Sequence, residues 1–174
     1  MQNVTETKQE ETTPEEAKAE EVIADEAKVE ETKAEEVKLS FDHFDLQPSL
    51  TKAITKLGFE YCTPIQAQSL VHTLAGHDVT GRAQTGTGKT AAFLITIIND
   101  LLTNPIEEER FLAEPRALVV APTRELAIQI ANDSKLLTEF CGLHTVTLVG
   151  GEDYAKQNAG LNQQPVDIVV ATPG

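Results

Sequence analysis

AQTGTGKT, residues 83–90, is the stretch on which the fold turns. It ends as the phosphate-binding pattern G-x-x-x-x-G-K-[ST] ends, yet Ala83 stands where that pattern begins with Gly. Gly86 and Gly88 admit backbone angles closed to other residues, so successive N–H groups can turn inward on phosphate oxygens. The segment that follows, KTAAFLITIINDLL (89–102), has the length and apolar spacing of a helix, and its positive end would aim at the same place. Residues 78–82, entering the loop, read as a short strand. Lys89 is placed to neutralise β- and γ-phosphates, and the Thr90 hydroxyl to complete a magnesium shell. Ala83 is small, so it weakens the formal match more than the chemistry. An ordinary Gly-rich turn carrying an idle surface Lys would not require strand, loop and apolar helix in this order. The loop is therefore expected to bind a nucleoside triphosphate.

Outward from the loop, helical and strand signals alternate. Residues 48–57 read as a short helix stopped by Gly58, and Thr63-Pro64 opens a second, with Thr suited to the N-cap and Pro to the first helical position. ALVVA (117–121) reads as a buried strand and RELAIQIANDSKLLTEF (124–140) as a long amphipathic helix. HTVTLVG and VDIVVA are further strands, separated by a helical segment over 153–161. Such alternation predicts an α/β fold of βαβ units on a parallel sheet, with ligands at the carboxyl ends of the strands. The loops that matter are then AQTGTGKT, APTREL, VGGED and ATPG.

Residues 1–40 are different material. They hold thirteen Asp and Glu against five Lys, eight of the chain's fourteen net negative charges. From Glu15 they repeat with period five (EEAKA, EEVIA, DEAKV, EETKA, EEVKL), and a five-residue step spirals round a helix instead of building one apolar stripe. This acidic tail is expected to be disordered, with a domain over 41–174. Neither part has the basic excess of a protein that holds nucleic acid by bulk charge, so nucleic-acid contacts must be local. Cys62 and Cys141 lie far apart with no C-x-x-C pair, and the four His show no metal-ligand spacing. No apolar run is long enough to span a bilayer and no signal peptide is visible, so the chain reads as cytoplasmic.

The base is less determined. Gln66, closing GFEYCTPIQ (58–66), can pair with N6 and N7 of adenine, a match guanine cannot offer, and Phe41 can cover the base face. A surface helix residue and a small apolar staple are the plainer readings, and the residues alone leave both open.

Taken in order, these stretches resemble the DEAD-box ATP-dependent RNA helicases. An upstream aromatic (Phe41), the Q motif GFEYCTPIQ, motif I AQTGTGKT, motif Ia PTRELA (122–127), the pair Gly150-Gly151 and the motif Ib start TPG (172–174) follow one another from Phe41 to Gly174. The family's own loop is AxTGxGKT, which accounts for Ala83. LAGHDVTGRAQTGTGKTAAFL and GGEDYAKQ are most similar to bacterial RhlB-type helicases of RNA turnover, which implies an RNA-degrading complex as partner. The resemblance implies an incomplete N-terminal RecA-like P-loop NTPase domain using ATP and Mg²⁺. It implies that Phe41 stacks on adenine and Gln66 reads it. Ala83, Gln84, Thr85, Gly86, Thr87, Gly88, Lys89 and Thr90 would hold the triphosphate, with Thr90 on Mg²⁺ and Lys89 and Thr90 the catalytic positions. Pro122, Thr123, Arg124, Gly150, Gly151, Thr172, Pro173 and Gly174 would touch the RNA backbone. Phosphate contact without base contact implies sequence-independent RNA binding. The plain reading of Arg124 is a solvated helix-start residue.

TPG stands ahead of the family's D-E-A-D strand, its S-A-T motif and its second RecA-like domain with arginine fingers. The chain is thus expected to be the N-terminal part of a longer helicase that unwinds or remodels short RNA duplexes. Alone it would hold ATP without hydrolysing it, because phosphoryl transfer depends on those missing charges. The alternative is a non-catalytic ATP- and RNA-binding module. Coding sequence continuing into DEAD and SAT would support the helicase, and a stop after Gly174 the module.

Overall fold

The computed structural model describes residues 38–106 and 109–173. All but the last two residues of the period-five acidic repeats, Glu107, Glu108 and Gly174 therefore lie outside the described residues.

Helix boundaries follow the punctuation of the sequence. α1 (Pro48–Lys56) and α2 (Pro64–Thr73) each begin on Pro, which lacks the N–H that a first turn leaves unpaired. Gly88, at φ 91°, turns the chain into α3 (Lys89–Thr103). Thr123 caps α4 (Arg124–Leu137), its hydroxyl accepting from the Leu126 N–H. Asp153 caps α5 (Tyr154–Asn162), its carboxylate accepting from the N–H groups of Ala155 and Lys156.

Three parallel strands, β1 (Ala117–Val120), β2 (Thr145–Leu148) and β3 (Ile168–Ala171), lie in the order β1-β3-β2. Val119 and Thr147 both pair with Val170, so the carboxyl ends of all three strands reach one edge. β3 is central, and its near-continuous apolar run suits a strand covered on both faces. α4 and α5 make the crossovers.

Two segments differ from what their sequence predicts. β1 is buried on one face only: Ala117 and Val119 pack against the core, whereas Leu118 and Val120, on the opposite face, are 63% and 59% exposed because nothing among the described residues covers that face. Residues 78–82 form no strand, because among the described residues they have no strand to pair with, and they run exposed into the loop.

The core joins α1 (Leu50, Ile54), α2 (Leu70), α3 (Leu94, Ile95, Ile98), α4 (Ile130, Leu137) and β3 (Ile168, Val170). Each such side chain contributes about 1.5–3 kcal/mol when fully buried. Two buried polar groups are matched within it. The Ser134 hydroxyl meets that of Thr145 at 2.8 Å. Asp167, at the head of β3, accepts from Arg110 at 2.5 Å and from the His144 N–H at 2.8 Å. Lys38–Ser40 already join the folded unit, since the Cys62 N–H donates to the Leu39 carbonyl at 2.7 Å and Ser40 bridges Tyr61.

Candidate nucleotide site and the carboxyl edge of the sheet

Gly86 and Gly88 take φ of 81° and 91°, which a side chain would strain, and fold residues 83–88 over the head of α3. Lys89, in the first turn, donates its ammonium back to the carbonyls of Ala83 and of Gln84, the latter at 2.6 Å. The Thr87 hydroxyl donates to the same Gln84 carbonyl at 2.8 Å. Thr85 and Gly86 are exposed and Thr90 is half-buried beside Lys89. A cation thus sits inside a loop whose glycines and helix end favour an anion, held by carbonyls that a phosphate would replace.

Gln66 is built into this loop. It is 4% exposed, so it is not the surface residue of the plainer reading. Its Oε1 accepts from the Thr63 N–H at 2.9 Å while the Thr63 hydroxyl accepts from the Gln66 N–H, a reciprocal capping box. Its Nε2 donates to the Gly88 carbonyl at 3.1 Å. A Cβ at Gly88 would collide with that Nε2. The loop and α2 are therefore fastened through one amide.

Phe41 is buried, its ring stacked on Phe59 with centroids 6.3 Å apart. Phe59 is the partly exposed ring of the pair, and it lines a cleft of about 920 Å³ with Gln84, Lys89, Thr90, Leu118 and Pro122. Asp133 of α4 also lines this cleft, and burial raises its carboxyl pKa.

The three loops after the strands meet along the carboxyl edge. Pro122 and Thr123 are exposed after β1, and the Thr123 hydroxyl is engaged as the α4 cap. Gly150 and Gly151 follow β2, and Gly151 takes φ 77°. A Cβ on Gly151 would lie 2.6 Å from Nη1 of Arg124, so the guanidinium rests on this glycine. Arg124 Nη2 lies 4.0 Å from Glu152 Oε1. Gln157 clamps the approach, accepting from the Val149 N–H at 2.8 Å and donating to the Val149 carbonyl at 3.1 Å. The Thr172 N–H after β3 donates to the Leu148 carbonyl at 3.1 Å, and Pro173 is exposed. The structure thus joins Gln66 to the loop and Arg124 to Gly151.

Sequence reading passed over Phe59, Gln157 and Glu152. The capping box was legible, since Thr63-x-x-Gln66 is its pattern, whereas the other three depend on which chain segments meet. Among the described residues no group of His, Cys, Asp and Glu could hold a metal ion, and no helix is long and apolar enough to cross a membrane.

A glycine loop at the head of a helix, beside the carboxyl edge of a parallel α/β sheet, defines a nucleotide-binding domain of the phosphate-loop class. The chain belongs to the DEAD/DEAH box helicase family, whose model matches residues 63–174. It is 59% identical over 137 residues to the ATP-dependent RNA helicase RhlB of Pseudomonas aeruginosa (strain UCBPP-PA14), covering 79% of this chain and 34% of that protein. The RhlB of Vibrio parahaemolyticus is 53% identical over 134 residues, covering 77% and 30%. A crystal structure of a DEAD box protein from the hyperthermophile Methanococcus jannaschii superimposes with TM-score 0.67 at 32% identity, covering 78% of this chain and 35% of that one. The chain spans about a third of the length of these relatives.

Proposed function

We propose that this chain is the N-terminal, nucleotide- and RNA-binding part of an ATP-dependent RNA helicase of RhlB type that remodels short RNA duplexes. The carrying observation is Lys89, on the first turn of α3 inside a loop of two positive-φ glycines, with Gln66 fastened to the same loop. ATP replaces the loop carbonyls as the partner of Lys89. Thr90, beside Lys89 at the loop, would give magnesium one hydroxyl ligand next to the triphosphate, and the bound cation would neutralise phosphate charge there. Gln66 reads adenine with the second N–H of Nε2 and the second lone pair of Oε1, the first of each being held by Gly88 and Thr63, and the aromatic pair of Phe41 and Phe59 covers the base. Pro122, Thr123, Arg124, Gly150, Gly151, Thr172 and Pro173 form the RNA-backbone edge, reading phosphate and not sequence. The acidic tail and the domain after it divide near residue 40, and the setting is cytoplasmic RNA turnover in company with RNA-degrading proteins.

Competition binding tests the reading, with a fluorescent ATP analogue displaced by ATP or GTP. ATP should displace it better than GTP, Lys89→Ala should abolish binding, and Gln66→Ala should erase a preference of about 1–3 kcal/mol. Equal displacement by GTP in the unaltered chain would remove the adenine assignment.

A further inference from the structure

We propose that Glu152 is a carboxylate gate on Arg124, competing with the RNA phosphate for the guanidinium and so setting the affinity of this edge for RNA. The proposal rests on the reading of Arg124 as a phosphate contact. Arg124 opens α4, and its guanidinium lies back over Gly151, where a Cβ would come within 2.6 Å of Nη1. That placement puts Nη2 at 4.0 Å from Oε1 of the next residue, Glu152. Asp153 is already engaged, capping the N–H groups of Ala155 and Lys156, so the acidic pair divides its work: Asp153 holds α5 and Glu152 faces the cation.

The contact is built to yield. Both side chains are nearly half exposed, at 46% and 45%, and 4.0 Å is the outer limit of an ion pair. Exposed pairs of this kind shift an equilibrium by at most about fivefold. A phosphate that accepts two parallel N–H bonds from the guanidinium at normal length outcompetes a carboxylate at that distance. Glu152 therefore lowers RNA affinity without blocking an oxyanion that engages Arg124 by its fork.

Fluorescence anisotropy with a single-stranded oligouridylate tests this in the full-length protein, with ATP-analogue affinity measured alongside. Glu152→Gln should tighten RNA binding about twofold to fivefold at low salt, less at high salt as screening weakens the pair, and leave nucleotide affinity unchanged. In the Arg124→Ala background the same substitution should change nothing. Arg124→Ala weakening RNA binding while Glu152→Gln has no effect would overturn the gate alone. Equal gains in both backgrounds would overturn it too, showing that Glu152 acts by general repulsion. No loss of RNA binding in Arg124→Ala would remove the phosphate reading of Arg124 and the gate with it.

Discussion

Gly88→Ala is the substitution whose cost the structure specifies best, because Gly86 supplies its control. Both residues hold φ in the left-handed region, 91° and 81°, where a side chain costs about 1–2 kcal/mol. Stiffening the unfolded chain returns about 0.4–1 kcal/mol of that at either site. The surroundings differ. A Cβ at Gly86 meets nothing within 4 Å, whereas one at Gly88 collides with Nε2 of the buried Gln66. Gln66 must then leave the Gly88 carbonyl, and an unsatisfied buried amide costs about 1–3 kcal/mol. Gly86→Ala should therefore cost roughly 0.5–1 kcal/mol and Gly88→Ala roughly 2–4 kcal/mol. Urea unfolding followed by circular dichroism reads both, as a lowered midpoint at unchanged slope. In the Gln66→Ala background most of the difference should disappear, since the colliding amide is gone and only Thr63 Oγ1, 3.2 Å from the added Cβ, stays close. Equal costs in the unaltered background would refute the claim that Gln66 fastens the loop to α2.

Other consequences follow from buried partners. Arg110→Ala strips Asp167 of its cation while Asp167 stays buried, so it should destabilise by about 3 kcal/mol in the same urea assay. Burial pushes the Cys62 thiol up to about 11 from 9.0, so the folded state keeps its proton while the unfolded chain gives it up. Cys62 therefore contributes stability fully present below pH 9 and lost as pH rises toward 11, and a pH series of melts with a Cys62→Ser control checks it. Removing residues 1–37 should leave the melting temperature unchanged. Removing 1–40 also deletes the Leu39 carbonyl that Cys62 uses and the Ser40–Tyr61 bridge, and should lower it by a few degrees, about 0.5–1.5 kcal/mol per hydrogen bond.

Local signals in the sequence carried far. Thr63-Pro64, Gly88-Lys89 and Thr123-Arg124 mark helix starts because caps and dihedrals are decided within a few residues, and each helix begins where they say. Alternation of elements also sufficed for a parallel sheet with its loops on one edge. What did not follow is whatever a neighbour decides. ALVVA has the composition of a buried strand, yet Leu118 and Val120 are exposed, since burial depends on what packs across β1. Residues 78–82 offer only Val79 and Thr80 as strand formers, and extended backbone becomes a strand only by pairing. Phe41 and Gln66 were legible as an aromatic and an amide near the loop. That Phe41 lies buried under Phe59, and that Gln66 holds both Thr63 and Gly88, needed coordinates. Glu152 was invisible as a partner of Arg124, because twenty-seven residues separate them and only the fall of Gly151 beneath the guanidinium brings them near.

RNA-dependent ATP hydrolysis in the full-length protein tests the central claim most directly, since it requires the nucleotide loop and the RNA edge to act in one molecule. Phosphate release is measured with and without single-stranded RNA, for the unaltered protein and for Lys89→Ala. The account predicts release that RNA stimulates and that Lys89→Ala abolishes, because Lys89 is the cation the loop holds ready for the triphosphate. Hydrolysis that RNA does not stimulate, or that survives Lys89→Ala, would contradict it.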